Sequence, residues 1–301
     1  MNTAPIPPLL VSLMILLVPH ASAGEDPVGR IVVAHDVNTL ATARADDQSA
    51  LFAANVAEYL IGHDSGDVLL IETEPPFMGT AYAPEVVDAI TDAGFGVVVA
   101  DALEPLPPLH GFDAVFVGIA ERDVFTTIDP LVFTEYIRDG GGAYVFSGVG
   151  SDRLAEAAAL NQLIEPFGIA FDGARVNDGP GGYNDIRNVA IDPLAHPIFA
   201  GIAVLRAGNG QCMTLVGGVP GAHIVWSAEI PGGPCAVYGV IEVPACPSDL
   251  APPFGVLDLA DITAFTTLFL AGVPAVDLND DGVFDLADIG AFVGSFTAGC
   301  P

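Results

Sequence analysis

Lysine is absent, and eight arginines are the only permanently cationic side chains in 301 residues. Against them stand 38 aspartates and glutamates, giving a formal charge of -30. A surface this anionic repels DNA, RNA and anionic membranes, so nucleic-acid partners are excluded. It suits cations. Past the amino terminus no run reaches the roughly 18 apolar residues that a membrane span needs. None of the four cysteines has a His or Cys neighbour at ligand spacing, which argues against a thiolate metal site or a catalytic thiol. What is abundant is apolar: 51% of residues are hydrophobic, enough to fill a large core plus a small appended unit.

The chain opens on an export signal. Leu9 to Val18 is apolar but too short to cross a bilayer, and Ala21-Ser22-Ala23 fits a small-residue cleavage site. Residues 1–23 are therefore expected to be removed, leaving a protein outside the cytoplasm, secreted or held at the cell surface, with no transmembrane segment.

Residues 24–243 alternate apolar runs with helical patterns. Strands are expected at Ile31–Ala34, Asp67–Ile71, Gly96–Ala100, Asp113–Val117 and Ala143–Phe146. Helices are expected at Asp47–Ile61, Pro84–Ala93, Asp129–Arg138 and Ser151–Glu165, several with Pro at the start or Gly past the end. Continuous apolar strands between helices indicate an α/β fold with a parallel sheet buried on both faces. After Phe171 the pattern shifts to short strands, including Asn188–Ile191, His223–Trp226 and Cys235–Val243.

Residues 244–301 carry the strongest chemical signal. Asp277 to Asp288 reads DLNDDGVFDLAD. A hard cation such as Ca²⁺ takes six to eight oxygens from a tight loop, at positions 1, 3, 5, 7, 9 and 12, with Gly at 6. Those places hold Asp277, Asn279, Asp281, the carbonyl of Val283, Asp285 and Asp288, with Gly282 at the turn. A solvated Asp/Gly turn is the plain alternative, but it does not require every ligand place to be filled. Leu257–Gly272 repeats as Phe284–Gly299 at an offset of 27 residues. In each copy an acidic loop end runs into an apolar helix, with Ile262, Phe265 and Phe269 matching Ile289, Phe292 and Phe296 on one helical face. Two such helices must pack on each other.

From Cys246 to Pro301 this tandem resembles a dockerin, the two-loop calcium module that plugs secreted proteins into a cohesin receptor. It is most similar to the GC-type dockerin-anchored family, named for a terminal Gly-Cys, here Gly299-Cys300. The resemblance implies calcium at Asp277, Asn279, Asp281, Asp285 and Asp288, and a cohesin-like or other surface receptor protein as partner. The first loop keeps Asp249, Asp258 and Asp261, but Ala251 and Pro253 replace side-chain ligands and the loop is one residue longer. One strong site and one weak or absent site are expected. Where dockerins place Ser/Thr pairs against the cohesin, this chain has Leu259-Ala260 and Leu286-Ala287. Four cysteines in an exported protein suggest two disulfides, in any of three pairings. Cys246–Cys300 is favoured because it ties the two ends of the calcium module, leaving Cys212–Cys235.

Four stretches of the larger unit, Gly111–Gly118, Tyr136–Gly150, Leu160–Phe171 and His196–Ile202, resemble the class I glutamine amidotransferase-like fold. Active members hold a catalytic Cys at a strained strand–turn–helix elbow. Here the turn reads Phe146-Ser147-Gly148-Val149-Gly150, with Gly148 where the Cys would stand. The resemblance therefore points to noncatalytic branches of that superfamily. Asp36, Glu72, Asp101 and Ser147 end strands, where open parallel sheets place ligands, and form a candidate cleft. A secreted hydrolase acting on glycosyl bonds of a polysaccharide is the alternative, and it requires Ser147 to meet a His (His35, His63, His110 or His196) held by a carboxylate.

Overall fold

The computed structural model describes residues 29–41, 45–72, 81–102, 104–118, 128–148, 153–175, 189–205, 210–219, 221–230, 233–243, 246–273, 276–278 and 282–299. The expected export signal, Asn279, Asp281 and Cys300 lie outside them.

Five strands form a parallel block: β1 (Gly29–Ala34), β2 (Asp67–Glu72), β3 (Gly96–Asp101), β4 (Ala114–Val117) and β5 (Gly142–Phe146), in the order β3-β2-β4-β5-β1. Between them run α1 (Asp47–Ile61), α2 (Pro84–Asp92) and α3 (Pro130–Arg138), and α4 (Arg153–Ile164) follows β5. Helix starts follow local chemistry. Asp46 caps α1 by accepting the Gln48 and Ser49 N–H groups, and Asp129 caps α3 just ahead of Pro130. Gly62 ends α1 at φ +74°, a left-handed conformation that costs glycine little.

Side chains alternate between the two sheet faces, as the strand repeat of two requires. Val32, Ala34, Val68, Leu70, Phe116, Tyr144 and Phe146 pack with Phe52 and Val56 of α1 and Val86 and Ile90 of α2. Ile31, Val33, Leu69, Val115, Ala143 and Val145 pack with Phe133 and Ile137 of α3 and Leu160 and Leu163 of α4. The expected mixed α/β architecture, with a mostly parallel sheet between helices, is thus observed. It is not buried throughout: β3 is the edge strand, and Val98 and Val99 are exposed.

The sheet continues beyond β1 with antiparallel strands that the sequence pattern located only in part. β6 (Ile169–Arg175) and β9 (Gln211–Leu215) join β10 (Ala222–Ile230) and β11 (Gly233–Val243), while β7 (Val189–Ala190) and β8 (Val204–Leu205) form a separate pair. β11 lies antiparallel against β1, from Gly29↔Val243 to Ala34↔Tyr238. The Cys212–Cys235 disulfide staples β9 to β11, as expected. Cys246 is also disulfide-bonded.

The C-terminal stretch forms α5 (Leu259–Ala271) and α6 (Leu286–Ala298), both begun by a capping box, Asp258 with Asp261 and Asp285 with Asp288. The Phe265 and Phe292 rings stack at 4.1 Å and, with Val276, form a small buried cluster. Ile262 and Ile289, expected on the packing face, are instead exposed by about 40% and 36%. The phenylalanine seam is too narrow to cover a third residue one turn earlier. No described helix is long and apolar enough to cross a membrane.

Candidate functional site

Two regions hold the residues singled out by sequence. The first is the carboxyl edge of the parallel block. Asp36 follows β1, is wholly buried, and accepts the backbone and side-chain N–H groups of Asn38 at 3.0 and 2.9 Å. It caps a short turn over Val37–Thr39. Ser147 follows β5 and is also wholly buried. Its hydroxyl donates to the His35 carbonyl, and its oxygen accepts the Gln211 N–H at 3.1 Å. Ser147 therefore braces β1, β5 and β9 through the main chain, with its proton engaged on a carbonyl rather than on an imidazole.

Glu72 and Asp101 end the neighbouring strands β2 and β3, paired in register. Glu72 accepts the Tyr82 N–H at 3.2 Å. β2 stands three strand positions from β1 in the sheet order, on the order of 14 Å away. The edge thus brings Asp36 and Ser147 together, and sets Glu72 and Asp101 apart from them as a second pair.

Sequence reasoning missed the partners around Ser147. Glu156 of α4 is fully buried and accepts the Gly148 N–H at 2.6 Å, so a carboxylate sits on the elbow turn. Gln211, Tyr144 and Tyr238 converge on the same edge from three strands, and Tyr238 meets the His35 ring edge-on at 5.5 Å. Burial pushes the His35 pKa down, with Asp36 acting in the other direction. Both His35 ring nitrogens and both Gln211 amide atoms lack a hydrogen-bond partner among the described residues. A Gln beginning a short antiparallel strand carries no periodic signal, so its place beside His35 was not readable. The other histidines lie elsewhere: His196 accepts the Ile198 N–H in its own turn, His110 pairs with Asp139 at 3.1 Å on the surface, and His63 is exposed.

The second region is the C-terminal tandem. In the second loop the Asp277 carboxylate accepts the Gly282 N–H at 2.7 Å, closing the turn, and Gly282 has φ +75°. Asp288 is wholly buried and accepts the Leu278 and Asp285 N–H groups, each at 2.9 Å, one on each oxygen. Asp285 accepts the Ala287 N–H at 2.7 Å. The first loop repeats the plan: Asp249 takes Gly255 N–H at 2.6 Å, Asp261 takes Leu250, Ala251 and Asp258 N–H at 2.7, 2.8 and 2.8 Å, and Asp258 takes Ala260 N–H at 2.6 Å. Burial pushes the Asp249 carboxyl up to about 6, with the Gly255 N–H opposing it and Asp261 adding to it.

The donor set of the second loop suits a hard cation. Carboxylates and a backbone carbonyl are the oxygen ligands that such a cation takes. Val283 is exposed and Asp285 begins α6. Among the described residues no three acidic, His or Cys side chains stand close enough together to hold an ion. Asp277, Asp285 and Asp288 of the second loop and Asp249, Asp258 and Asp261 of the first are all described, whereas Asn279 and Asp281 are not. No family model, curated protein or solved structure matches the chain.

Proposed function

We propose that this is an exported, calcium-binding protein that docks onto another protein through its C-terminal tandem, carrying a noncatalytic α/β domain. The observation that carries the reading is the loop closure at Asp277, Gly282, Asp285 and Asp288. A buried carboxylate gathers the loop ends, a left-handed glycine turns the chain, and Asp285 and Asp288 form a capping box at the head of α6. Calcium is held there by Asp277, Asn279, Asp281, the Val283 carbonyl, Asp285 and Asp288. It neutralises carboxylates that have no basic neighbour in the tandem, since residues 246–301 contain no Lys, Arg or His.

The docking face is apolar and duplicated. Leu259 and Leu286 occupy equivalent places in the two repeats and are 74% and 81% exposed, with Ile262 and Ile289 beside them. Leucines at helix starts, where a soluble helix usually carries charge, fit an apolar pocket on a receptor protein, cohesin-like or otherwise. The commitment of Ser147 to main-chain bonds supports the noncatalytic reading over a polysaccharide hydrolase.

Capture of a receptor from the surface fraction of the producing cell tests the reading. Binding in calcium, loss in chelator and loss in Leu286→Asp are expected. Capture that ignores both changes contradicts it.

A further inference from the structure

The two repeats have the same local plan but different neighbours. Phe254, at the tip of the first loop, is 2% exposed and lies in the core beneath α3 and α4. Its ring stacks on Phe167 at 4.9 Å, and its N–H donates to the Pro166 carbonyl at 3.0 Å. The Arg138 guanidinium, at the end of α3, stands 5.4 Å from the centre of that ring. The carboxylates of Asp249 and Asp261 are among those that act on Arg138, and burial lowers its pKa against them. At the repeat offset of 27 residues the second loop has Asp281 where the first has Phe254, so the second repeat has no aromatic residue at this place.

We propose that the first loop is a metal-independent clasp, which fixes the tandem to the α/β domain through Phe254 and Arg138 while the second loop alone responds to calcium. Three features of this chain replace the ion. Asp261 is held by three backbone N–H groups, two on one oxygen and one on the other. Pro252 and Pro253 restrict the loop backbone. Arg138 supplies the positive charge that residues 246–301 lack. An aromatic ring held between a core ring and a guanidinium is a stronger anchor than burial alone. The consequence is a fixed first repeat and a second repeat whose shape follows the cation, so that calcium tunes the receptor face without releasing the tandem. This rests on the proposed function only for calcium at the second loop.

The test uses the full chain. Trp226, the single tryptophan, lies on β10 and reports the α/β domain. Thermal melts by Trp226 fluorescence and cleavage of the first-loop segment, residues 246–258, by chymotrypsin, a protease that needs no metal, are measured for wild type, Phe254→Ala and Arg138→Gln, each in calcium and in chelator. The clasp predicts that both variants raise cleavage of that segment by about tenfold or more, by the same factor with and without calcium, because cleavage follows the population of the open form. Chelator alone leaves it unchanged. If chelator releases the segment in wild type as fully as Phe254→Ala does, the clasp depends on the ion and the inference fails. If Phe254→Ala does not fold, Arg138→Gln decides alone: unchanged cleavage overturns the inference. A chain that binds no calcium at all would defeat the proposed function and leave the clasp to be judged on the same two variants.

Discussion

Asp261 is the hub of the first loop, and removing it has a calculable effect. One of its oxygens accepts the Leu250 and Ala251 N–H groups and the other accepts the Asp258 N–H. The side chain is wholly buried, so water does not replace those bonds without rearrangement. A hydrogen bond to a charged group contributes about 1.5–3 kcal/mol, and an orphaned buried donor costs about 1–3 kcal/mol. Because three bonds at one centre are not additive, Asp261→Ala is expected to cost about 4 kcal/mol. Asp261→Asn keeps a carbonyl oxygen for Leu250 and Ala251 and loses the Asp258 bond, for about 2 kcal/mol. Urea titrations in chelator, read by far-ultraviolet dichroism for the helices and Trp226 fluorescence for the α/β domain, separate the two variants. The dichroism midpoint should fall in the order wild type, Asn, Ala. An Asp261→Ala chain within about 0.5 kcal/mol of wild type would refute the assigned bonding, because that is the range of a neutral surface substitution.

Ser147→Ala should lower stability by about 1 kcal/mol, since Gln211 N–H keeps its bond to the His35 carbonyl at 3.0 Å, and should leave any activity on ester or glycoside substrates unchanged. Activity abolished by that change would instead support the hydrolase. Replacing Cys212 and Cys235 by alanine frees a closed loop spanning 23 positions and should cost about 3 kcal/mol, measured by denaturant midpoint under matched conditions. Asp249 is held at about 6 when folded, above its ordinary 3.8, so it favours the folded state below pH 4 and that contribution is lost as pH rises through 6. Stability in chelator should therefore fall between pH 4.5 and 7.5 by at most about 3 kcal/mol, and Asp249→Asn should flatten that slope. A slope unchanged in the variant would assign the titration to another group.

How much of this was readable beforehand depended on how local the signal was. α1 runs from Asp47 to Ile61 as expected, its end marked in the sequence by Gly62 and its start fixed by the Asp46 cap that the structure shows. The parallel strands were visible because each is a continuous apolar run, β3 included although it is the exposed edge strand. β6 and β9 were not, since β9 pairs Met213 with Ala236 and Phe171 across long separations that leave no periodic trace. The loop carboxylates were legible from spacing alone. The anchor at Phe254 was not: a phenylalanine after two prolines reads as an exposed turn, and only the fold brings Phe167 and Arg138 to meet it.

The most direct measurement is calcium titration of the chelator-treated full chain by calorimetry, with helix content followed in parallel. The account predicts saturable heat for about one ion per chain, a gain in α6 helicity, and loss of both in Asp277→Ala. No heat, with dichroism and cleavage within the second repeat indifferent to calcium, would contradict it.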